Sequence, residues 1–120
     1  MPSCSPAIEI AWAYKELGQA DNYVKLINEC KYLYQEQKKS SIAYFELDYL
    51  AARIYALEGQ PTQAVQFLSK AIDDGWREWW TQYDPLLKSL KDDAEFQKLL
   101  EFIEADLTRQ RQEAKRLFLK

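Results

Sequence analysis

The sequence predicts an all-α fold, and three observations support that prediction. Residues that favour helices, such as Ala, Leu, Glu and Lys, are abundant, whereas Val and Thr are scarce and there are only 3 Gly and 4 Pro. Apolar residues recur every three or four positions, which is the spacing of one face of a helix. Glycine and proline stand between the periodic segments, where helices end and begin. A chain of 120 residues has the length of one domain with a modest core.

Six segments of the sequence are predicted to be helical. They cover residues 7–17, 21–37, 41–58, 62–73, 85–90 and 93–116. Gly18 and Gly59 follow the first and the third segment, in the position where glycine commonly ends a helix. Asp21 or Asn22 is expected to cap the second segment. The third segment is apolar nearly all round, so we expect it to lie centrally among the others.

These segments are expected to form one domain over residues 7–116. Residues 1–6 lack the basic and apolar stretches of a signal peptide and are predicted to be a linker or disordered. Residues 117–120 are predicted to be a C-terminal tail. No run of about 18 apolar residues occurs, so no segment is expected to insert into a membrane. The sequence does not determine the compartment, although we expect a soluble protein of the cytoplasm rather than of the periplasm.

Charge and composition argue against nucleic-acid binding and against catalysis. The net charge is −3 and the pI is near 5.0, whereas nucleic-acid-binding domains are usually basic. The chain has no histidine, the commonest general base, and no glycine-rich phosphate loop. The acidic pairs Asp73-Asp74 and Asp92-Asp93 are interpreted as helix-end residues, with Asp92 or Asp93 capping the last helix. We therefore expect no catalytic residue, no metal and no cofactor.

The two cysteines, Cys4 and Cys30, are too few for a disulfide framework, and no histidine is present to complete a zinc site. We expect Cys30 to be a small buried apolar residue and Cys4 to be a thiol near the terminus. A disulfide between them would require an oxidising compartment, and the sequence leaves that alternative open.

The sequence contains a partial internal repeat. When Gly18 is aligned with Gly59, 41 residues later, many small and apolar positions of the two helix pairs coincide. The matched residues are Ala11 with Ala52, Tyr14 with Tyr55, Gln19 with Gln60, Ile27 with Leu68 and Cys30 with Ala71. Tyr23 falls on Ala64, which is a mismatch in size.

These positions resemble the tetratricopeptide repeat, a helix pair in which small residues allow the two helices to approach closely. The second copy meets the whole pattern with Ala52, Tyr55, Gly59, Ala64, Leu68 and Ala71. The first copy departs from it at Tyr23 and Cys30, and the spacing of 41 residues exceeds the usual period of about 34. The resemblance implies a short right-handed solenoid of stacked antiparallel helix pairs with a C-terminal capping helix.

The second half of the chain resembles the C-terminal end of repeat arrays in bacterial multidomain regulators. The resemblance covers about residues 45–111 and is carried by Asp84-Pro85-Leu86-Leu87, Leu90, Asp92-Asp93, Phe96 and Leu99-Leu100. In those regulators the array is attached to a winged-helix DNA-binding domain or to a nucleotide cyclase domain. The resemblance implies that this chain is one end of a larger signalling or transcription-regulating protein.

The repeat resemblance also implies a partner-binding groove on the first helix of each pair. By the alignment, its residues are Ile8, Trp12, Lys15, Glu16, Glu46, Tyr49, Arg53 and Leu57. Aromatic, arginine and charged side chains together suit the capture of a peptide. The alternative is that Trp12 and Tyr49 pack between neighbouring repeats, since aromatic residues at helical spacing commonly belong to the core.

A second candidate site is an aromatic cluster after the fourth helix. Its members are Trp76, Trp79, Trp80 and Tyr83. One interpretation is a pocket for a ligand or partner. The other is a plug that closes the open end of the solenoid, with Trp76, Trp80 and Phe96 inside it and Trp79 outside.

The polar residues beyond Glu104 form the third candidate. Their alternating charges are typical of a solvated helix face. A homodimer contact is the alternative, through Leu107, Ala114, Leu117 and Phe118.

The sequence is thus interpreted as a non-catalytic module that binds a protein or peptide and regulates an attached effector. A small-molecule sensor that uses the aromatic cluster and a passive oligomerisation module are the alternatives. A sensor requires an enclosed apolar cavity, whereas a peptide binder requires an open groove.

Overall fold

The structure, a computed structural model, describes residues 5–40 and 45–118. Within these ranges the chain forms five α-helices, two 3₁₀ helices and no β-strand. The α-helices are α1 (Ser5–Glu16), α2 (Ala20–Ser40), α3 (Phe45–Leu57), α4 (Pro61–Asp73) and α5 (Ala94–Phe118). The 3₁₀ helices cover Trp79–Tyr83 and Pro85–Leu90, between α4 and α5. The predicted all-α class is confirmed for this part of the chain.

The helix boundaries differ from the predicted ones at both ends of the domain. Helix α1 already begins at Ser5 and α5 continues to Phe118. The rest of the predicted linker and tail, residues 1–4 and 119–120, lies outside the described residues. The segment predicted over 85–90 is a 3₁₀ helix, and the 3₁₀ helix Trp79–Tyr83 was not predicted. Residues 41–44, the predicted start of the third helix, lie outside the described residues.

One of the predicted helix caps is wrong and one is confirmed. Asp21 and Asn22 both lie inside α2, because that helix begins at Ala20, directly after the glycine turn. Asp93, by contrast, caps α5: its Oδ1 accepts a hydrogen bond of 2.9 Å from the backbone N–H of Phe96.

The turns at Gly18 and Gly59 have the same backbone geometry. The two glycines have φ angles of +74° and +76°, in the left-handed region that favours glycine. In each turn the residue after the glycine donates its N–H over 2.9 Å to the carbonyl oxygen five residues earlier. The bonded pairs are Gln19 with Tyr14 and Gln60 with Tyr55. The alignment of these two glycines therefore corresponds to a repeated turn, which ends each helix by satisfying its last carbonyl groups.

Two apolar clusters form the core, and α3 contributes to both. One cluster lies between α3, α4, the second 3₁₀ helix and α5, and the other lies between α1, α2 and α3 and includes Leu86. Ala52, Ala64 and Ala71 are fully buried, as predicted for residues at a close contact between α3 and α4. The stacked rings of Tyr55 and Phe67, with centroids 5.3 Å apart, pack against both clusters. Helix α3 is therefore central, as the sequence predicted.

Helix α5 is the last helix of an elongated molecule whose extents are 57 × 34 × 23 Å. It packs on α4 and on the first 3₁₀ helix through one stripe that includes Phe96 and Ile103. Beyond Thr108 its described side chains are exposed. No helix in the described ranges is long and apolar enough to cross a membrane.

Arg77 joins the end of α4 to α5. Its Nη1 donates to the backbone oxygen of Ile72 over 2.6 Å, and its Nε donates to Oδ2 of Asp106 over 2.6 Å. The guanidinium also lies 5.0 Å from the ring centre of Phe102. Hydrogen bonds from Arg77 first, and then from Arg109, lower the pKa of Asp106 to about 2. One arginine thus satisfies a helix-end carbonyl and holds α5 in place.

Candidate functional site

The groove predicted on the first helix of each pair is largely filled. Ile8, Tyr49 and Leu57 are buried in the core, and Arg53 is nearly so. Trp12 is half-buried and packs with the α1–α2–α3 cluster, whereas Tyr49 belongs to the other cluster. The prediction that these residues share one partly exposed surface is therefore wrong. Lys15, Glu16 and Glu46 are the members that are exposed.

The chain that follows α4 covers this face of α3. Trp76 stacks on Tyr49, with ring centroids 3.9 Å apart and an angle of 14° between the planes. Trp80 meets the rings of both residues edge-on, at centroid distances of 5.8 Å and 5.5 Å. Stacked and edge-on contacts are the favoured geometries of aromatic pairs. Tyr49 is therefore a core residue, but it packs against the segment after α4 and not between the two helix pairs as the alternative interpretation proposed.

A buried polar group fixes the same covering segment. The hydroxyl of Tyr49 donates to Oδ2 of Asp84 over 2.5 Å, and Oδ1 of Asp84 accepts the N–H of Leu86 over 3.0 Å. Burial first, and then the charge of Asp84, raise the pKa of Tyr49. Nε of Arg53 lies 3.1 Å from Oδ2 of Asp84, but the geometry makes it an ion pair without a hydrogen bond. The predicted binding residue Arg53 thus neutralises a buried carboxylate.

The outer edge of this region joins the two helix pairs. Nη2 of Arg53 donates to Glu9 on α1 over 3.3 Å. Lys15, also on α1, donates to the backbone oxygen of Leu57, which is the last residue of α3. A cation at this place suits the negative end of a helix. Lys15 and Glu9, both on α1, therefore serve contacts within the fold.

The aromatic cluster divides into an inner and an outer pair. Trp76 is buried, and its Nε1 donates to Oγ1 of Thr81 over 2.9 Å. Trp80 lies at the edge of the core. Trp79 and Tyr83 are 61% and 69% exposed, and their rings meet edge-on with centroids 6.1 Å apart. Trp76 matches the plug interpretation and Trp79 lies outside it as predicted, whereas Trp80, which was predicted to lie inside, is 36% exposed.

The exposed aromatic pair borders a groove between the 3₁₀ helices and α5. Two cavities form it, of about 230 Å³ beside Trp79 and about 330 Å³ beside Tyr83. Both are lined by Gln82, Gln97 and Leu100, so they are neighbouring parts of one open groove. We call this surface the α5 groove.

The two ends of the α5 groove carry opposite charges. The cavity beside Trp79 is also lined by Glu78, Glu101 and Glu104. The cavity beside Tyr83 is also lined by Lys88 and Lys91. Within the described part of the chain, the carboxylates of Glu78 and Glu101 and both lysine ammonium groups have no hydrogen bond or ion pair, whereas Glu104 lies 3.5 Å from Arg111. These charges are therefore available to a partner.

Sequence reasoning found Trp79 and Tyr83 but missed the α5 residues of this groove. Gln97, Leu100 and Glu101 lie on the flank of the apolar stripe that holds α5 in place. Residues beside an apolar stripe do not recur at a spacing that distinguishes them from other surface residues of the helix. The exposed position predicted for Trp79 was the signal that could have indicated a surface here.

Asp48 is a buried carboxyl group on α3. Its Oδ1 lies 3.8 Å from Nζ of Lys70, and its Oδ2 is buried and accepts no hydrogen bond from a described donor. Burial first, and then the carboxyl of Asp74, raise the pKa of Asp48. The positive charge of Lys70 opposes this shift, because it favours the ionised form of the Asp48 carboxyl group.

Cys30 is fully buried, as predicted, and it is disulfide-bonded. The sequence left a disulfide as an alternative, and that alternative is the correct one for Cys30. The other cysteine of the sequence, Cys4, and the thiol predicted there lie outside the described residues. Within the described ranges, no group of three or more acidic or cysteine side chains is placed to hold a metal ion.

No protein-family model, no curated protein and no solved structure matches the chain. Its functional interpretation therefore depends on the geometry of its own residues.

Proposed function

We propose that this chain is a non-catalytic module that binds a protein or peptide, and that the partner occupies the α5 groove. The observation that carries the proposal is the exposed pair Trp79 and Tyr83 beside two open cavities. Tryptophan and tyrosine are enriched among the residues that dominate binding energy at protein interfaces. An open groove along a helix accommodates an extended or helical segment.

The small-molecule sensor is the weaker alternative. Such a site usually encloses most of its ligand in an apolar cavity. Here the inner aromatic residues are packed against each other, with Tyr49 filling the space beside Trp76. The cavities of the α5 groove are open, and half of the residues that line them are glutamine or charged residues.

We also propose that the two helix pairs stack like tetratricopeptide repeats and that the module regulates an effector in a larger bacterial protein. The matching turns at Gly18 and Gly59 and the contacts of α3 with both α1 and α2 support the stacking. The resemblance of residues 45–111 to the ends of regulator arrays supports the second part. If the module regulates an attached effector, Trp79→Ala should change the activity of that effector in the larger protein.

A selection with a displayed random-peptide library tests the binding proposal. We expect the 120-residue chain to enrich peptides whose binding is lost in Trp79→Ala. The matched control is Tyr32→Ala, which removes a similarly exposed aromatic side chain from α2. The proposal fails if no peptide is enriched, or if the enriched peptides bind wild type and Trp79→Ala equally. In that event passive oligomerisation through the exposed end of α5 becomes the better interpretation.

A further inference from the structure

We infer that the α5 groove selects a peptide segment with a lysine or arginine side chain, held on the face of Trp79 between Glu78 and Glu101. This inference rests on the proposed function and names the chemistry of the partner. Its basis is the combination, in one cavity, of an exposed indole ring and carboxylates without partners among the described residues.

The cavity beside Trp79 is suited to a cationic side chain. The face of an indole attracts ammonium and guanidinium groups, and tryptophan is the best of the aromatic residues for this contact. Glu78 immediately precedes Trp79, and Glu101 approaches the same cavity from α5. Glutamate residues from two separate parts of the chain thus line the cavity that contains this aromatic ring. A lysine or arginine placed there would gain a charge-assisted hydrogen bond as well as the contact with the ring.

The other end of the α5 groove defines the direction of the bound segment. Lys88 and Lys91 lie beside the exposed ring of Tyr83 and attract a carboxylate, either of an acidic residue or of a peptide C-terminus. Between the two ends, Gln97 is oriented by a bond from its Nε2 to the backbone oxygen of Lys91. The side-chain amide of Gln82 has no described partner and is able to bond a peptide backbone.

The charge of the whole chain favours the same class of partner. A net charge of −3 attracts basic segments over a distance of about the Debye length and repels phosphate-rich ligands. A second copy of this chain is a competing occupant, because the exposed end of α5 carries Arg109, Arg111 and Lys115. We favour a separate peptide, because Arg109 and Arg111 are already paired with Asp106 and Glu104 on their own helix.

Binding to four synthetic peptide pools tests the inference. The pools are fluorescent undecapeptides with lysine, arginine, glutamate or leucine fixed at the centre and mixed residues elsewhere, and binding is measured by fluorescence anisotropy. We expect the lysine and arginine pools to bind about tenfold more tightly than the other two. Glu101→Gln should abolish most of that preference. Glu95→Gln is the matched control, because Glu95 is an exposed glutamate on α5 outside the groove.

The outcomes separate this inference from the proposed function. If no pool binds, or if Trp79→Ala binds every pool as wild type does, both are wrong. If binding depends on Trp79 but the leucine or glutamate pool binds as tightly as the lysine pool, only the inference is wrong. It is also overturned if Glu101→Gln retains the preference, or if sedimentation shows a dimer that Trp79→Ala dissociates. Near-ultraviolet circular dichroism verifies that the ring stack of Tyr49 and Trp76 is intact in each variant.

Discussion

Replacing Gly59 with alanine should destabilise the fold through the backbone alone. Gly59 has a φ of +76°, and a Cβ added there would meet nothing within 4 Å. The left-handed conformation costs a residue with a Cβ roughly 1–2 kcal/mol. The lower entropy of the unfolded alanine chain offsets roughly 0.4–1 kcal/mol of that. We therefore expect a net loss of about 1 kcal/mol, or about 4 °C in melting temperature for a chain of this size.

The matching turn at Gly18 makes this prediction sharper. Gly18 has a φ of +74° and equally open space around it, so Gly18→Ala should cost about as much as Gly59→Ala, to within roughly 0.5 kcal/mol. Asparagine tolerates the left-handed region better, so Gly59→Asn should recover part of the loss. Gly75 differs, because its φ of +121° lies further from that region and Cδ1 of Phe45 stands 3.6 Å from the added Cβ. Gly75→Asn should therefore give no comparable recovery.

Urea denaturation followed by circular dichroism at 222 nm measures these differences, provided that the slope of the free energy against urea stays constant. The reasoning is refuted if Gly59→Ala is as stable as wild type. It is also refuted if the costs at Gly18 and Gly59 differ by more than about 1 kcal/mol, since the two turns would then not be equivalent.

Three further predictions concern the core and the carboxyl groups. Ala64→Leu should overpack the contact between α3 and α4 and cost roughly 1–3 kcal/mol in thermal unfolding, and an unchanged melting temperature would contradict that contact. Because the folded pKa of Asp106 is lowered to about 2, its bonds stabilise the fold above the unfolded pKa near 4 and are lost as the pH falls between these values. Asp106→Asn should therefore lose less stability than wild type between pH 5 and 2. If both proteins lose the same amount of stability over this range, the bonds of Asp106 do not stabilise the fold. The pKa of Asp48 is raised, so its ionisation weakens the fold as the pH rises above the unfolded value. Asp48→Asn should be more stable than wild type at pH 7 in urea, and a loss of stability there would show that the ion pair with Lys70 outweighs burial.

The sequence was sufficient to predict the regular helices because their signals are local. Gly18 and Gly59 supply the left-handed residue that ends a helix, and their positions could be read directly. Ala52 and Ala64 are small residues on either side of the turn at Gly59, where the repeat pattern places the close contact between two successive helices. The 3₁₀ helix Trp79–Tyr83 has no such signal, because its short hydrogen-bonded turn has no periodicity that a sequence pattern can show.

The candidate site could not be predicted because it depends on what covers each helix face. Tyr49 has the same sequence environment whether a partner or Trp76 packs on its ring. The segment after α4 determines that Tyr49 is buried. Asp84 in this segment accepts a hydrogen bond from the hydroxyl of Tyr49, which holds the segment on α3. The α5 groove likewise arises where three elements meet, and no single element contains its pattern.

The sharing of α3, Tyr55 and Phe67 between the two clusters has a consequence for how the chain opens. In a simple repeat array each unit contacts only its neighbours, so a terminal unit can melt while the others persist. Here the loss of α1 and α2 would expose one side of α3. Only the cluster on the other side of α3 would then remain buried. The two helix pairs should therefore behave as one cooperative unit, and their slowest amide protons should give a common free energy of opening, equal to that of global unfolding.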